Sequence, residues 1–140
     1  MACILALDVG TKTIGIARAD IVARLASPHS TLARQGVKKD TARLVHLIQE
    51  LGAEQVVVGL PYELDGAEGR SARLARQIGD AISEASGLPV HYQDERYSTV
   101  EAEHRLRQAG HDGRQRKSVI DQAAAAVILE DYFRTVSKSQ

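Results

Sequence analysis

Asp8 breaks a run that is otherwise apolar: Ile4, Leu5, Ala6 and Leu7 precede it, and Val9 and Gly10 follow. Such a run suits a strand buried on both faces, where a carboxylate needs a partner to offset its desolvation. Two more acidic positions stand at the ends of predicted elements. Asp94 and Glu95 close a strand-like segment, and Asp121 lies at the opening of the last helical stretch. Ligand sites in open α/β sheets gather at the carboxyl ends of parallel strands, so these acids can converge. Three gathered carboxylates would repel one another and raise their pKa values. A divalent cation removes that penalty. Mg²⁺ suits the role, with hard oxygen ligands, retained waters and a substrate phosphate completing its shell. Two such ions about 4 Å apart can activate water and stabilise the leaving oxygen of a phosphodiester. Zinc is not indicated, because His29, His46, His91, His104 and His111 are scattered and Cys3 is the only cysteine.

Each acid also has a purely structural reading. Asp8 can accept the amides of Gly10 and Thr11 in the following turn. Asp94 or Glu95 can be a solvated strand end. Asp121 follows Ser118 by the spacing of a capping box.

The elements that must carry the acids follow from periodicity. Residues 2–8 read as a strand, "VGTK" as a tight turn and 13–19 as the return strand. Residues 22–33 read as a third antiparallel strand, with Pro28 indicating an edge or a bulge. From Asp40, a candidate N-cap, Leu44, Leu47, Ile48 and Leu51 keep helical spacing until Gly52. "QVVVGLP" (55–61) reads as a buried parallel strand, 70–86 as a helix, and "VHYQDER" as the fifth strand. Helices over 99–109 and 118–136 complete the chain, with Ala123 to Ala126 suited to close packing on a sheet. The order βββαβαβαα predicts an α/β fold: a mixed sheet with helices on its faces, in two or three layers. No linker or repeat divides it, so 1–140 is expected to be one domain.

Composition narrows the partners. The chain has 140 residues, 44% hydrophobic and 26% charged, and its 18 Lys plus Arg balance 18 Asp plus Glu. A nucleic-acid partner must therefore be argued from where charge lies. With no Trp and one Phe, base stacking of the RRM kind is excluded, leaving backbone and shape recognition. No segment approaches a membrane span or a leader, so a reduced, cytoplasmic protein with no membrane partner is expected.

Four segments carry a resemblance. "LALDVGTKTIGIARAD", "VVVGLPYELDG", "PVHYQDERYST" and "VIDQAAAAVILEDYF" resemble the motifs of the YqgF family, RuvC-like proteins with the RNase H fold, in register over nearly the whole chain. The family's members are described as pre-16S rRNA nucleases or Holliday junction resolvases. The resemblance implies an RNase H-like, five-stranded mixed sheet flanked by helices. It makes Asp8, Glu95 and Asp121 the catalytic, metal-binding acids, served by Mg²⁺ or Mn²⁺, as two ions. Departures are small: Tyr97-Ser98-Thr99 replaces the usual Leu-Thr-Thr, and Ala19 and Ala67 stand where Ser is common. They touch no carboxylate and put only fine substrate contacts in question.

Basic residues suggest how a nucleic acid would be held. Lys12 can reach a phosphate from the hairpin turn, and Arg96 follows the acidic pair directly. Arg105, Arg107, Arg114, Arg116 and Lys117 place five basic residues within thirteen positions, offset only by Asp112. By contrast Arg70, Arg73 and Arg76, at every third position, read as a solvated helix face. The leading expectation is a metal-dependent endonuclease acting on structured RNA, a pre-16S rRNA 5′ end first, and on branched DNA such as a four-way junction second. The junction reading calls for a homodimer with two-fold related sites. An ATP-using protein of the actin/hexokinase/Hsp70 type is a second class, since "DVGTKTIGIA" resembles its phosphate hairpin. Against it, no second phosphate loop appears. A non-catalytic nucleic-acid-binding module is a third, but three acids gain nothing in binding a polyanion.

Overall fold

The computed structural model describes residues 2–61, 68–95 and 113–139, with side chains described for 119–136 of the last segment. Its strands are β1 (Cys3–Val9), β2 (Thr13–Asp20), β3 (Ala26–Ala33), β4 (Ala53–Leu60) and β5 (Val90–Asp94), and its helices α1 (Val37–Leu51), α2 (Arg70–Ser86) and α3 (Gly113–Ser139). The strands form one mixed sheet in the order β3-β2-β1-β4-β5. β1 pairs antiparallel with β2 and parallel with β4, β2 antiparallel with β3, and β4 parallel with β5.

Strict alternation in β1 assigns the two faces. Leu5, Leu7 and Val9 share a core with Ile14, Ile16, Val56, Val58 and the inner sides of α1 and α2. Ile4 and Ala6 face the other way, with Ala17, Ala19 and Val57, against Ala125, Ile128, Leu129 and Phe133 of α3. Asp8 follows Ile4 and Ala6 in this alternation, so it belongs to the α3 face. The helices thus cover both faces of the sheet, and Ala124 and Ala125, fully buried, let α3 lie close against it.

Several boundaries depart from sequence expectation. The helix expected from Asp40 begins at Val37, after Gly36 at φ 111° with no side-chain cap. Val37 packs against the core and draws the helix start forward. Asp40 is therefore inside the first turn, fully buried, and takes the Gln35 amide at 2.9 Å and Arg34 Nε at 2.8 Å. Gly52 closes α1 in the left-handed region at φ 67°, as its position predicts. The last helix starts at Gly113, not 118, which puts Asp121 about two turns inside it. The capping-box reading of Ser118 and Asp121 is thereby overturned. Pro28 lies on the edge strand beside an irregularity: Ala17 pairs with Pro28 and Ile16 with Ser30, leaving His29 as the extra residue of a bulge. The helix expected over 99–109 lies outside the described residues. Among the described residues no helix is long and apolar enough to cross a membrane.

Candidate active site

Asp8 is half-buried near the carboxyl end of β1, directly opposite Gly15 of β2. Burial, and then the charge of Asp121, push its carboxyl up to about 7. The turn after it is closed without its help, because the Gly10 N–H donates to the Thr13 carbonyl at 2.8 Å. The turn-stabilising reading of Asp8 therefore fails at Gly10.

Asp121 is seated next to the β1–β2 pair that holds Asp8 because Gly15 has no side chain. A Cβ at Gly15 would lie 1.9 Å from the Asp121 carbonyl oxygen and 2.3 Å from its carbonyl carbon. The α3 backbone therefore rests on the sheet at the position that pairs with Asp8. On the same face, two residues before Gly15, Thr13 Oγ1 donates to Asp121 Oδ2 at 2.6 Å. This short, charge-assisted bond fixes the carboxylate.

Alternation along β5 separates Asp94 from Glu95. Asp94 falls with Val90 and Tyr92, which pack against the α1–α2 core, and it is exposed. Gln93 faces α3, where its amide donates to Thr135 Oγ1 at 3.4 Å, and Glu95 follows on that side. The Glu95 N–H donates to the Leu60 carbonyl at 2.9 Å, and the residue is buried. Gly59 makes room for both helix and acid: a Cβ there would meet Ile128 Cδ1 at 2.5 Å and Glu95 Cγ at 3.5 Å.

Asp8, Glu95 and Asp121 thus share one face and one end of the sheet, where the charge of Asp121 adds to burial in raising the Asp8 carboxyl. Among the described residues, no three acidic, histidine or cysteine side chains lie close enough together to hold one ion. The pair nevertheless fits a hard divalent cation. It offers carboxylate oxygens, and among the described residues no basic side chain pairs with either member. Mg²⁺ commonly takes one or two carboxylates and fills its shell with water and substrate phosphate. Two clefts of about 410 and 470 Å³ lie elsewhere and touch none of the three acids.

Lys12 is exposed in the β1–β2 turn, and its carbonyl takes the Arg34 N–H at 2.9 Å. Arg96, Arg105 and Arg107 lie outside the described residues, as do the side chains of Arg114, Arg116 and Lys117. Arg70 and Arg73 are exposed on α2 as expected of a solvated face. Arg76 differs: it pairs with Glu68 at 2.6 Å and lies 5.0 Å over the Tyr92 ring. Sequence reasoning missed Thr13, Gly15 and Gly59. A glycine inside a strand is itself a sign of close approach, and both glycines carry that sign.

A mixed five-stranded sheet in which two of the three parallel strands, β1 and β5, end at acidic residues, with a helix bringing a further acid to the β1 end, describes an RNase H-like fold. A Thermus thermophilus RuvC solved with a Holliday junction substrate shares it: TM-score 0.64, 98% of each chain covered, 14% identity. The family model RuvX, described as Holliday junction resolvase, matches residues 2–135, and the chain belongs to that family. A Thermosynechococcus vestitus relative named "Putative pre-16S rRNA nuclease" is 40% identical over 139 residues, covering 99% of this chain and 92% of its own. A Chloroflexus aurantiacus relative of the same name is 43% identical over 130 residues, covering 93% and 85%. This is a family of nucleases.

Proposed function

We propose that this chain is a divalent-metal-dependent endonuclease that hydrolyses phosphodiester bonds in structured RNA, acting first at the 5′ end of pre-16S rRNA. The observation that carries the proposal is the placement of Asp121 against Gly15, beside a half-buried Asp8 whose carboxyl it perturbs. A like-charge pair drawn out of water is costly in an isolated fold and useful in one that binds a cation. The names of the curated relatives support rRNA as substrate.

Asp8, Asp121 and Glu95 are the acids that hold Mg²⁺ or Mn²⁺, as two ions. Bound there, the metal supplies activation of water and stabilisation of charge on the leaving oxygen. Thr13 holds the Asp121 carboxylate in place through its hydroxyl. Lys12, at the tip of the turn beside Asp8, neutralises a neighbouring phosphate. Arg96, Arg105, Arg107, Arg114, Arg116 and Lys117 provide positive charge for phosphates farther along the strand, in a protein of zero net charge. The whole of 1–140 acts as one domain, in the cytoplasm.

A second reading is favoured by the description of the matching family model: cleavage of four-way DNA junctions by a homodimer with paired sites. Labelled precursor RNA, single-stranded DNA and four-way junctions, each incubated with Mg²⁺ or Mn²⁺, separate the two. The proposal expects cleavage of the precursor and sparing of the junction. Symmetric junction cleavage by a dimer would transfer the assignment to the second reading. Cleavage of neither, with either metal, would overturn both.

A further inference from the structure

The turn that joins Asp8 to Thr13 is held from the α1 side of the sheet. Arg34 Nη1 donates to the Gly10 carbonyl at 2.9 Å, and the Arg34 amide donates to the Lys12 carbonyl at 2.9 Å. The Gly10 amide in turn donates to the Thr13 carbonyl at 2.8 Å, and Thr13 Oγ1 holds Asp121. Arg34 is itself oriented by Asp40, whose Oδ2 takes Arg34 Nε at 2.8 Å while Oδ1 takes the Gln35 amide at 2.9 Å. The side chains of this ion pair are 10% and 0% exposed.

A buried ion pair is weak evidence of stability, because desolvation of two charges offsets much of their attraction. What this pair does provide is direction. The planar guanidinium addresses two acceptors in a fixed fork, Asp40 and the Gly10 carbonyl, which a single ammonium cannot match. One continuous series of bonds therefore runs from a buried carboxylate in α1, through the turn, to a carboxylate of the candidate active site. We infer that Arg34 and Asp40 are positioning residues for that site, acting through the Gly10–Thr13 turn to fix Asp121. The inference rests on the nuclease reading for its functional consequence, and on the hydrogen bonds for its geometry.

Arg34→Met combined with Asp40→Asn tests it, because both charges disappear together and an acceptor remains for the Gln35 amide. The double variant is expected to fold, to keep its KM within about twofold and to lose kcat roughly tenfold or more. Thr13→Val is expected to lower kcat by a similar factor, and adding it to the double variant to lower kcat little further, since both break one series of bonds. Amide exchange supplies a readout independent of activity: the Gly10 N–H loses roughly tenfold of its protection while Leu5 and Val57 keep theirs. If the double variant does not fold, Arg34→Lys replaces it, with the same expected loss of Gly10 protection at an unchanged melting temperature. Full kcat, unchanged Gly10 exchange or strictly additive losses would overturn the inference. A wild-type protein that cleaves no substrate would sink the nuclease reading instead, and the exchange measurement would still decide whether the turn is held from α1.

Discussion

At the scale of the residue, Asp8 carries the clearest chemical signature. An acid with a raised pKa holds its proton more tightly folded than unfolded. Without metal, stability therefore falls as pH rises from the ordinary carboxylate value near 4 to the folded value of about 7. Asp8→Asn removes this loss, so thermal melts in chelator should show a flatter pH profile and a higher melting temperature at pH 8. Identical profiles would mean that neither burial nor the charge of Asp121 raises the Asp8 carboxyl. Mg²⁺ or Mn²⁺ should raise the melting temperature of the wild type at pH 8 and leave Asp8→Asn unmoved, because only a bound ligand stabilises. Thr13→Val removes one bond to a charged acceptor and should cost about 1–3 kcal/mol, with a larger proportional loss of cleavage than of stability. Asp8 was legible in the sequence because a charge in an apolar run is conspicuous. Arg34 and Asp40 were not: Asp40 precedes the helical periodicity like an N-cap, and only tertiary packing of Val37 moves it inside.

At the scale of the element, two glycines let α3 meet the sheet. Gly15→Ala sets a methyl against the Asp121 backbone, which cannot yield without moving the helix. It should destabilise by more than the 1–3 kcal/mol of ordinary overpacking and abolish cleavage, as denaturation and activity assays would show. Gly59→Ala meets the tip of Ile128 instead. A flexible tip can give way, so the loss should be milder and partly rescued by Ile128→Val, which removes the Cδ1 atom. Failure of that rescue would place the conflict elsewhere. The strands were legible because their alternation assigns faces: Leu5 and Leu7 to one core, Ile4 and Ala6 to the other. The start of α3 was not, since Gly113 to Lys117 offer no apolar position from which a helical period can be read. That misplacement made a mid-helix acid look like a cap.

At the scale of the whole molecule, zero net charge leaves phosphate binding to local clusters. The basic residues immediately before α3's acid are the densest of them. Arg114→Ala, Arg116→Ala and Lys117→Ala together should weaken nucleic-acid binding and lower the salt slope, by roughly one unit for each duplex phosphate left without its cation. Cleavage at saturating substrate should fall much less, since the acids remain. Titrations at several salt concentrations read both, and an unchanged slope would show that these residues face only water. The central claim is that the Asp8–Asp121 pair is the metal-binding heart of a nuclease. Cleavage of structured RNA by the wild type, Asp8→Asn and Asp121→Asn, each in Mg²⁺, Mn²⁺ and chelator, tests it most directly. The wild type should cut with either metal and stop in chelator, while both variants stay folded and inactive under every condition. Undiminished cleavage by folded Asp8→Asn, or by the wild type in chelator, would contradict the account.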